Sequence, residues 1–545
     1  MVKNHRKVMA VVAAVASLAM ALGGCGSSSN KGADASAGNT ITAMNAEPAS
    51  GLLPGNTNST TGGKVLDLIF SQLVAFDSKG KPVNEVAKEI KSNDDATQFT
   101  ITIKDGWKFT DGTPVTAESF TKAWSYAANV SNAQINANFF SNIKGYDKVQ
   151  QKGVASDEQL EGLKVVDDHT FTVDLSTSDS NFPIKVGYTG FAPLPESFYK
   201  DPKAFGESPV SDGPYKFKSW KHNADIVLEK NPDYNGNFKA ANDGLDFKIY
   251  TAANASYADI QSGNLDISQN VPTSALKTFT KDPKVNSYSK ASSGIAAFTI
   301  PSNLEHFGGE EGVLRRQAIS MAIDRKQITE KVLSGTATPV TDFAAPTISG
   351  HSDKLKGSEN LEYNPKKAKE LWAKADAISK FTGTFTIAYN TDGGTKPIYD
   401  AVVNQLKNNL GIDAATNPVA TFQEFRAAIT DRTMKSAFRT GWQADYPSIE
   451  NYLKPIFSSS AADGKGSNDG DYKNPAFDKL LDEAAKASDL DAANKLYQQA
   501  EEILLNDLPG IPLYNSNAYA VFGKNVKHAE PNWNGVPVFH ELTKQ

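Results

Sequence analysis

The chain has 545 residues, of which 39% are hydrophobic and 22% are charged, as is typical of a globular protein and not of a disordered one. Its formal net charge at pH 7 is −6, which argues against broad nucleic-acid binding because such binding needs a basic surface. This length is typical of two to four domains.

The first 24 residues have the layout of a secretory signal peptide. A basic start is followed by an uncharged apolar run over residues 8–22 and then by two glycines. The apolar run is shorter than the stretch of about 20 residues that a membrane-spanning helix needs. Removal of residues 1–24 takes away three positive charges, which changes the net charge from −6 to −9.

Cys25, the only cysteine of the chain, follows this segment directly. Leu22-Gly23-Gly24-Cys25 resembles the lipobox of bacterial lipoproteins, and the resemblance implies cleavage before Cys25 and lipidation of its sulfur. Two acyl chains hold a protein stably on a membrane. Residues 25–39 have almost no large apolar side chains, which predicts a flexible tether. We therefore expect a protein anchored by lipid to the outer face of the cell membrane; the alternative is an ordinary buried thiol.

The body of the chain opens with a strand predicted over residues 40–44 and with helical spacing over residues 63–74. Residues 99–104 alternate between apolar and polar, the pattern of a half-buried strand. Thr116 is the predicted N-cap of a helix that continues through Trp124. Further strands are predicted at residues 170–175, 215–220, 226–230 and 245–250.

In the second half of the body, strands and helices alternate. A helix is predicted over residues 313–332, and Asn364 followed by Pro365 is typical of a helix start. A last helical region is predicted over residues 475–506, before an extended segment at residues 513–521. Between these, strand, helix, strand, helix and strand follow one another over residues 384–389, 398–410, 415–420, 422–433 and 436–441. This alternation indicates parallel strands with helical crossovers, an α/β lobe.

The sequence contains no motif that indicates catalysis. It lacks the HExxH, GxSxG, CxxC and dinucleotide-type GxGxxG patterns, and its glycine-rich segment at residues 464–467 lacks the P-loop order. The seven histidines are scattered without metal-ligand spacing, and the aspartates at 463, 469 and 471 miss the EF-hand spacing. We therefore expect no catalytic residues, no cofactor and no bound metal.

Six segments resemble motifs of one family, the extracellular solute-binding proteins of oligopeptide and dipeptide ABC importers (family 5). In family order, they are KDGWKFTDGTPVTAESF (104–120), SPVSDGPYKFKSWKHNADIVLEKNPDY (208–234), VLRRQAISMAIDRKQI (313–328), GWQADYPSIENYL (441–453), NPAFDKLLDEA (474–484) and LPGIPLY (508–514). The resemblance covers essentially the whole chain after residue 40. Turns and core packing also explain these segments, so they indicate a scaffold more than a site.

The resemblance implies an α/β fold of two lobes, similar to periplasmic binding proteins, with an extra inserted domain and a cleft that closes on ligand. The implied parts are a lipoprotein signal peptide at 1–24, a lipidated cysteine and tether at 25–39, lobe I at 40–75, 205–300 and 510–545, the inserted domain at 76–204, and lobe II at 301–509.

The resemblance also implies ligand-binding residues. In peptide-binding members, an aspartate of the GWxxD segment pairs with the α-ammonium of the ligand, and the corresponding residue is Asp445. Such a pair suits a closed cleft, because a buried charge needs a partner. Arg439 is expected to meet a ligand carboxylate or carbonyl, Trp442 to line the pocket, and Glu47 to be an acid near the cleft in lobe I. The alternatives are a solvated loop acid for Asp445 and a surface charge for Arg439.

The expected function is that of a monomeric receptor that captures short peptides outside the cell. It would deliver them to a membrane permease driven by cytoplasmic ATPase subunits, without covalent chemistry. Two alternatives stay open: the same fold binding an oligosaccharide or another small solute, and a surface-anchored hydrolase.

Overall fold

The computed structural model describes residues 38–57 and 59–545. The predicted signal peptide, Cys25 and most of the predicted tether lie outside the described residues, so lipidation of Cys25 stays a prediction. Within the described ranges, every helix is too short or too polar to cross a membrane.

One large mixed sheet runs through the body of the protein. Its strands, in spatial order, are Ala414–Val419, Phe385–Asn390, Ala437–Gln443, Asn286–Thr299, Gly510–Phe522, Ile267–Ser268, Thr40–Asn45, Gly244–Ile249, Asp225–Lys230 and Tyr215–Lys221, while Ala337–Pro339 pairs with Gly510–Phe522 outside this order. The first three strands are parallel to one another and are connected through helices. The predicted α/β alternation is therefore confirmed.

Three smaller groups of strands complete the β-structure. A four-stranded antiparallel sheet has the spatial order Ala87–Ser92, Gln98–Ile103, Thr170–Asp174 and Leu163–Asp167. Antiparallel pairs join Val74–Phe76 with Pro82–Asn84 and Val526–Lys527 with Thr543–Lys544. In the strand Gln98–Ile103, the apolar residues are buried and alternate with less buried ones, as the sequence pattern predicts.

Helices connect and cover these strands. The α-helices are Thr60–Ile69, Ala117–Ala128, Tyr146–Val149, Phe182–Lys185, Pro202–Glu207, Ala253–Ser262, Gly309–Met321, Arg325–Gln327, Pro365–Ile378, Lys396–Leu410, Phe422–Thr430, Glu450–Phe457, Pro475–Ala485 and Leu490–Asp507, with a π-helical turn at Ile328–Val332. Thr116 caps the helix Ala117–Ala128 in a capping box with Ser119, so the predicted helix start is confirmed.

Two large buried hydrophobic clusters define two lobes. We call the cluster that contains Ile41, Phe99 and Phe247 the first core, and the cluster that contains Trp372 and Leu504 the second core. The paired strands Asn286–Thr299 and Gly510–Phe522 contribute residues to both cores, such as Tyr288 to the first and Phe298 to the second. The chain passes between the lobes along these strands, and the predicted two-lobe α/β fold is confirmed.

The pairing of the two long strands is interrupted midway. The register shifts between Ala291 and Ile295, so residues 292–294 form a bulge. A bulge disrupts the ladder and bends its strand. The hydroxyl group of Tyr452 donates a hydrogen bond to the carbonyl oxygen of Ser293 at 2.5 Å, which ties the bulge to the second lobe.

Two regions that the sequence presents as continuous helices are interrupted. The α-helix predicted over residues 313–332 ends at Met321. The region 475–506 holds two helices, because the side chain of Asp489 accepts the N–H of Ala492 at 2.8 Å and so caps a new helix.

The helix Pro365–Ile378 begins as predicted. The Oδ1 atom of Asn364 accepts the N–H of Lys367 at 3.1 Å, an N-cap hydrogen bond. The predicted apolar face is buried and consists of Ala368, Leu371, Trp372 and Ala375.

Asn364→Ala should destabilise the protein by about 1 kcal/mol, because the N–H of Lys367 loses its acceptor. Asn364→Asp should retain most of the stability, since its carboxylate accepts the same bond. The midpoint of urea-induced unfolding measures both effects. Equal losses in the two variants would contradict a capping role for the side-chain oxygen.

The second lobe buries two carboxyl groups together, those of Asp342 and Glu501. Within the described residues, no other side chain donates a hydrogen bond to Oδ2 of Asp342 or to either carboxyl oxygen of Glu501, and Nδ1 of His351 lies 3.6 Å from Oδ2 of Asp342. Burial raises the pKa of Asp342 to about 7. Burial and the nearby charge of Asp342 raise the pKa of Glu501 well above its usual range. These shifts favour one proton shared by the two carboxyl groups at neutral pH.

Candidate functional site

The strand Ala437–Gln443 has one edge that is only partly paired. On one side, it runs antiparallel to Asn286–Thr299 along nearly its whole length. On the other side, it is parallel to Phe385–Asn390, and this pairing ends at Phe438. No other strand of the described chain pairs with residues 439–443 there, so we call these residues the open edge. Unpaired N–H and C=O groups of such an edge are available to another extended segment.

A cavity of about 480 Å³ adjoins the open edge. Its size falls within the range of about 300–1,000 Å³ that is usual for ligand sites. Three charged residues line it, and two of them, Arg426 and Asp469, form an ion pair at 2.6 Å. Arg439 is the third, so the cavity has an excess of positive charge. Its aromatic lining residues are Phe343, Phe422, Phe425, Trp442, Tyr452, Phe457 and Tyr472.

Arg439 begins the open edge and lines the cavity. Its Nη1 atom donates to Oδ1 of Asn390 at 2.7 Å. The guanidinium carbon lies 5.8 Å from the ring centroids of both Phe422 and Phe425, a cation–π arrangement. In the described part of the chain, no carboxylate forms an ion pair with it. A planar, half-buried guanidinium of this kind suits a carboxylate ligand.

Trp442 also lines the cavity, and Asp445 follows it in the next turn. One side chain contacts both residues. The Oδ1 atom of Asn451 accepts the indole N–H of Trp442 and the backbone N–H of Asp445, each at 3.0 Å. Asp445 does not line the cavity; it follows two residues after Gln443, which ends the strand and does line it.

The side chain of Asp445 is exposed to solvent in this structure. Loss of solvation raises the pKa of Asp445, a hydrogen bond from Asn451 opposes the rise, and the charge of Glu450 adds to it. Burial and, next, the charge of Asp445 raise the pKa of Tyr188. Tyr188 packs against the first core, so Asp445 lies near a residue of the opposite lobe.

Comparison with known proteins identifies the family. The family model described as bacterial extracellular solute-binding proteins, family 5 middle, matches residues 81–464. This match covers more than half of the chain. The chain belongs to this family. The sequence-based identification is therefore confirmed.

The family-5 chain is 29% identical to the oligopeptide-binding protein OppA of Bacillus subtilis (strain 168) over 531 residues, 93% of each protein. It is 28% identical to the dipeptide-binding protein DppE of the same organism over 474 residues, 85% of this chain and 84% of that protein. Its fold is similar to an unliganded open form of the periplasmic murein tripeptide binding protein MppA, with a TM-score of 0.82 at 24% identity. That match covers 93% of this chain and 97% of MppA.

Glu47 does not line the cavity and belongs to a separate hydrogen-bond network. Its Oε1 lies 2.7 Å from Nδ1 of His222, and its Oε2 accepts the N–H of Asn223 at 2.9 Å. The other ring nitrogen of His222 lies 2.9 Å from Glu207. Hydrogen bonds to the carboxylates of Glu47 and Glu207 raise the pKa of His222. The carboxylate of Glu47 is therefore already satisfied by its own neighbours.

Two charged residues on the helix Thr60–Ile69 have shifted pKa values, although neither lines the cavity. Loss of solvation lowers the pKa of Lys64 to about 8 and raises the pKa of Asp67 to about 6, although the side chain of Asp67 is exposed. The hydroxyl group of Thr189 donates to Asp67. A lysine and an aspartate at i and i+3 are ordinary on a helix surface, so no sequence signal could have singled them out.

The described residues include no group of three or more His, Cys, Asp or Glu that is placed to hold a metal ion. The candidate site therefore comprises the open edge, an aromatic cavity lined by Arg439, and the carboxylate of Asp445, which follows the edge strand in the chain. These groups can bind an extended ligand with a charge of each sign.

Proposed function

We propose that this protein is a receptor for short peptides, held by lipid on Cys25 to the outer face of the cell membrane. The peptide binds as an added strand along residues 439–443, with its amino terminus at Asp445 and its carboxylate towards Arg439. The receptor acts as a monomer and passes the peptide to an ABC permease with its ATPase subunits. The ligand shifts an open–closed equilibrium because it binds the closed form better.

The open edge is the observation that best supports this proposal. An extended peptide that adds to a strand edge gains affinity from main-chain hydrogen bonds, which every peptide sequence can form. Residues 439–443 offer these groups beside a cavity with room for side chains. This arrangement favours a peptide over a ligand that lacks a regular backbone.

The direction of the strand supports the assigned ends. The strand runs from Arg439 towards Asp445, so an antiparallel peptide would place its amino terminus at the carboxylate and its carboxyl terminus at the guanidinium. Asp445 is six positions after Arg439, which corresponds to at most about 20 Å at roughly 3.3 Å per residue. Because the arginine side chain spans part of that distance, we expect peptides of about four to six residues to fit best.

The relatives support a peptide as the ligand class, since OppA and DppE of Bacillus subtilis are named for binding oligopeptides and dipeptides. The family description supports a place outside the cytoplasm. Support for the lipid anchor comes from the sequence alone, namely the apolar segment and the Leu-Gly-Gly-Cys order before residue 26.

Calorimetric titration of residues 38–545 with a pool of two- to eight-residue peptides tests the proposal. The same pool with acetylated amino termini is titrated beside it. We expect the free pool to bind and the acetylated pool to bind much more weakly. Equal binding of both pools would keep the peptide function and remove Asp445 from its role. If neither pool binds, the peptide proposal fails.

Arg439→Met should weaken the binding of tetra- and pentapeptides by about tenfold or more. The variant keeps an apolar stem between the phenylalanine rings but removes a charge-assisted hydrogen bond worth about 1.5–3 kcal/mol. The affinities of the same peptides as carboxyl-terminal amides should be nearly equal in the variant and the wild type. Lys435→Met, which removes an exposed cation before the same strand, is the matched control. Equal losses with acids and amides would contradict a carboxylate contact.

The aromatic cavity lining favours one second candidate, an oligosaccharide on the same fold, because sugar rings pack on aromatic faces. Failure of both peptide pools together with binding of an oligosaccharide pool would establish it.

A further inference from the structure

Asn451 is a buried side chain that contacts two of the predicted site residues. It is 4% exposed and is the second residue of the helix Glu450–Phe457. Its Oδ1 accepts two N–H groups, one from the indole of Trp442 and one from the backbone of Asp445. Its Nδ2 lies 3.4 Å from Oδ2 of Asp445 and donates to it.

These neighbours fix the orientation of the Asn451 amide. An indole N–H and a backbone N–H can only donate, so the amide oxygen must face them. The amide NH₂ must then face the carboxylate of Asp445. The planar amide of Asn451 therefore fixes the positions of the Asp445 carboxylate, the Asp445 backbone and the Trp442 indole relative to one another.

Contacts of the two adjacent residues hold Asn451 itself in place. Tyr452 is bonded to the bulge of the crossing strand through the carbonyl oxygen of Ser293. Glu450 is buried and accepts the hydroxyl group of Tyr446 at 2.6 Å, while Nζ of Lys185 lies 3.7 Å from its other oxygen. The amide is thus presented from a fixed helix start and not from a free loop.

We propose that Asn451 is a positioning residue, which orients the carboxylate of Asp445 and the indole of Trp442 for an incoming ligand ammonium group. This inference rests on the proposed function. A side chain already held in its bound orientation loses less freedom on binding, so removal of the amide should reduce affinity for the group that Asp445 binds. Affinity for the rest of the peptide, which depends on the open edge, should change little.

Asn451→Ala tests the inference with the free and acetylated peptide pools. We expect the preference for the free pool to fall by about tenfold, because small misplacements of a binding group have effects of this order. The affinity for the acetylated pool should change by less than about twofold. In the Asp445→Asn background, Asn451→Ala should cause no further loss of preference, since both changes then act on one contact.

Asn242→Ala is the matched control. Asn242 is fully buried, donates to the carbonyl oxygens of Phe539 and Leu542, and accepts the hydroxyl group of Tyr215, all away from the cavity. Its replacement should lower the unfolding temperature and leave the preference unchanged. If Asn451→Ala does not fold, Asn451→Gln keeps the amide but displaces it by one methylene group, and it should show a smaller loss of preference.

The outcomes separate this inference from the function on which it rests. A wild-type preference for the free pool that persists in both Asn451 variants would overturn the positioning role alone. A loss of preference that is as large in the Asp445→Asn background as in the wild type would also overturn it. A wild type without any preference would overturn the ammonium site itself, and the inference with it.

Discussion

Replacing Asp445 with asparagine should weaken the binding of peptides with a free amino terminus by at least about a hundredfold. Breaking a buried ion pair by removing one partner costs about 3–5 kcal/mol, because the remaining charge is left without compensation. Loss of solvation already raises the pKa of Asp445, whose side chain is exposed in this structure, and closure of the cleft would remove more of its water. Calorimetric titration with one defined pentapeptide measures the loss.

Two comparisons make this result specific. The acetylated form of the same pentapeptide should bind the wild type and Asp445→Asn with similar affinity, since it carries no ammonium group. Asp431→Asn removes an exposed acid at the end of the helix Phe422–Thr430 and should have little effect on either peptide. A loss of less than about threefold in Asp445→Asn would show that the ammonium binds elsewhere.

Replacing Glu501 with glutamine should stabilise the protein above pH 7 and flatten its pH dependence. The folded state raises the pKa of both Asp342 and Glu501, so it retains protons that the unfolded chain releases near pH 4. The stabilisation from the pair is therefore fully present below about pH 4 and is lost as the pH rises through about 7. Glutamine donates an N–H to Asp342 at every pH and needs no proton.

Thermal unfolding from pH 5 to pH 9 measures this effect. The wild type should lose a few kcal/mol of stability from this pair over that range, and Glu501→Gln should lose less. Asp482→Asn, in which an exposed acid of the helix Pro475–Ala485 is replaced, should follow the wild type. Parallel curves for the wild type and Glu501→Gln would contradict a shared proton.

Much of the fold could be predicted because many of its helices and strands show a single pattern of apolar and polar residues along their whole length. The helix Pro365–Ile378 combines a cap with an apolar face, and the parallel strands of the second lobe are separated by clear helices. The strand Asn286–Thr299 was missed for a physical reason. It is rich in serine and alanine, crosses from one lobe to the other, and contains a bulge, so its burial does not alternate regularly.

Less of the candidate site could be predicted from the sequence. The family resemblance singled out Arg439 and Trp442, and both line the cavity. The open edge could not be predicted, because it depends on where the neighbouring strand Phe385–Asn390 stops pairing. Asn451 lies within the segment 441–453 that resembles a family motif. Its hydrogen bonds with Trp442 and Asp445, however, form only because a turn of the chain brings it back to Asp445.

The large sheet has a consequence for any attempt to divide the chain. A fragment of residues 301–509, the range predicted for lobe II, would contain Ala437–Gln443 without its antiparallel neighbour Asn286–Thr299, and without the strand Gly510–Phe522 that pairs with that neighbour. It would expose a strand from the interior of the sheet as a bare edge, which is a template for aggregation. The lobes therefore differ from domains that can be cut out at a linker: each needs strands from distant parts of the chain to form a soluble fold.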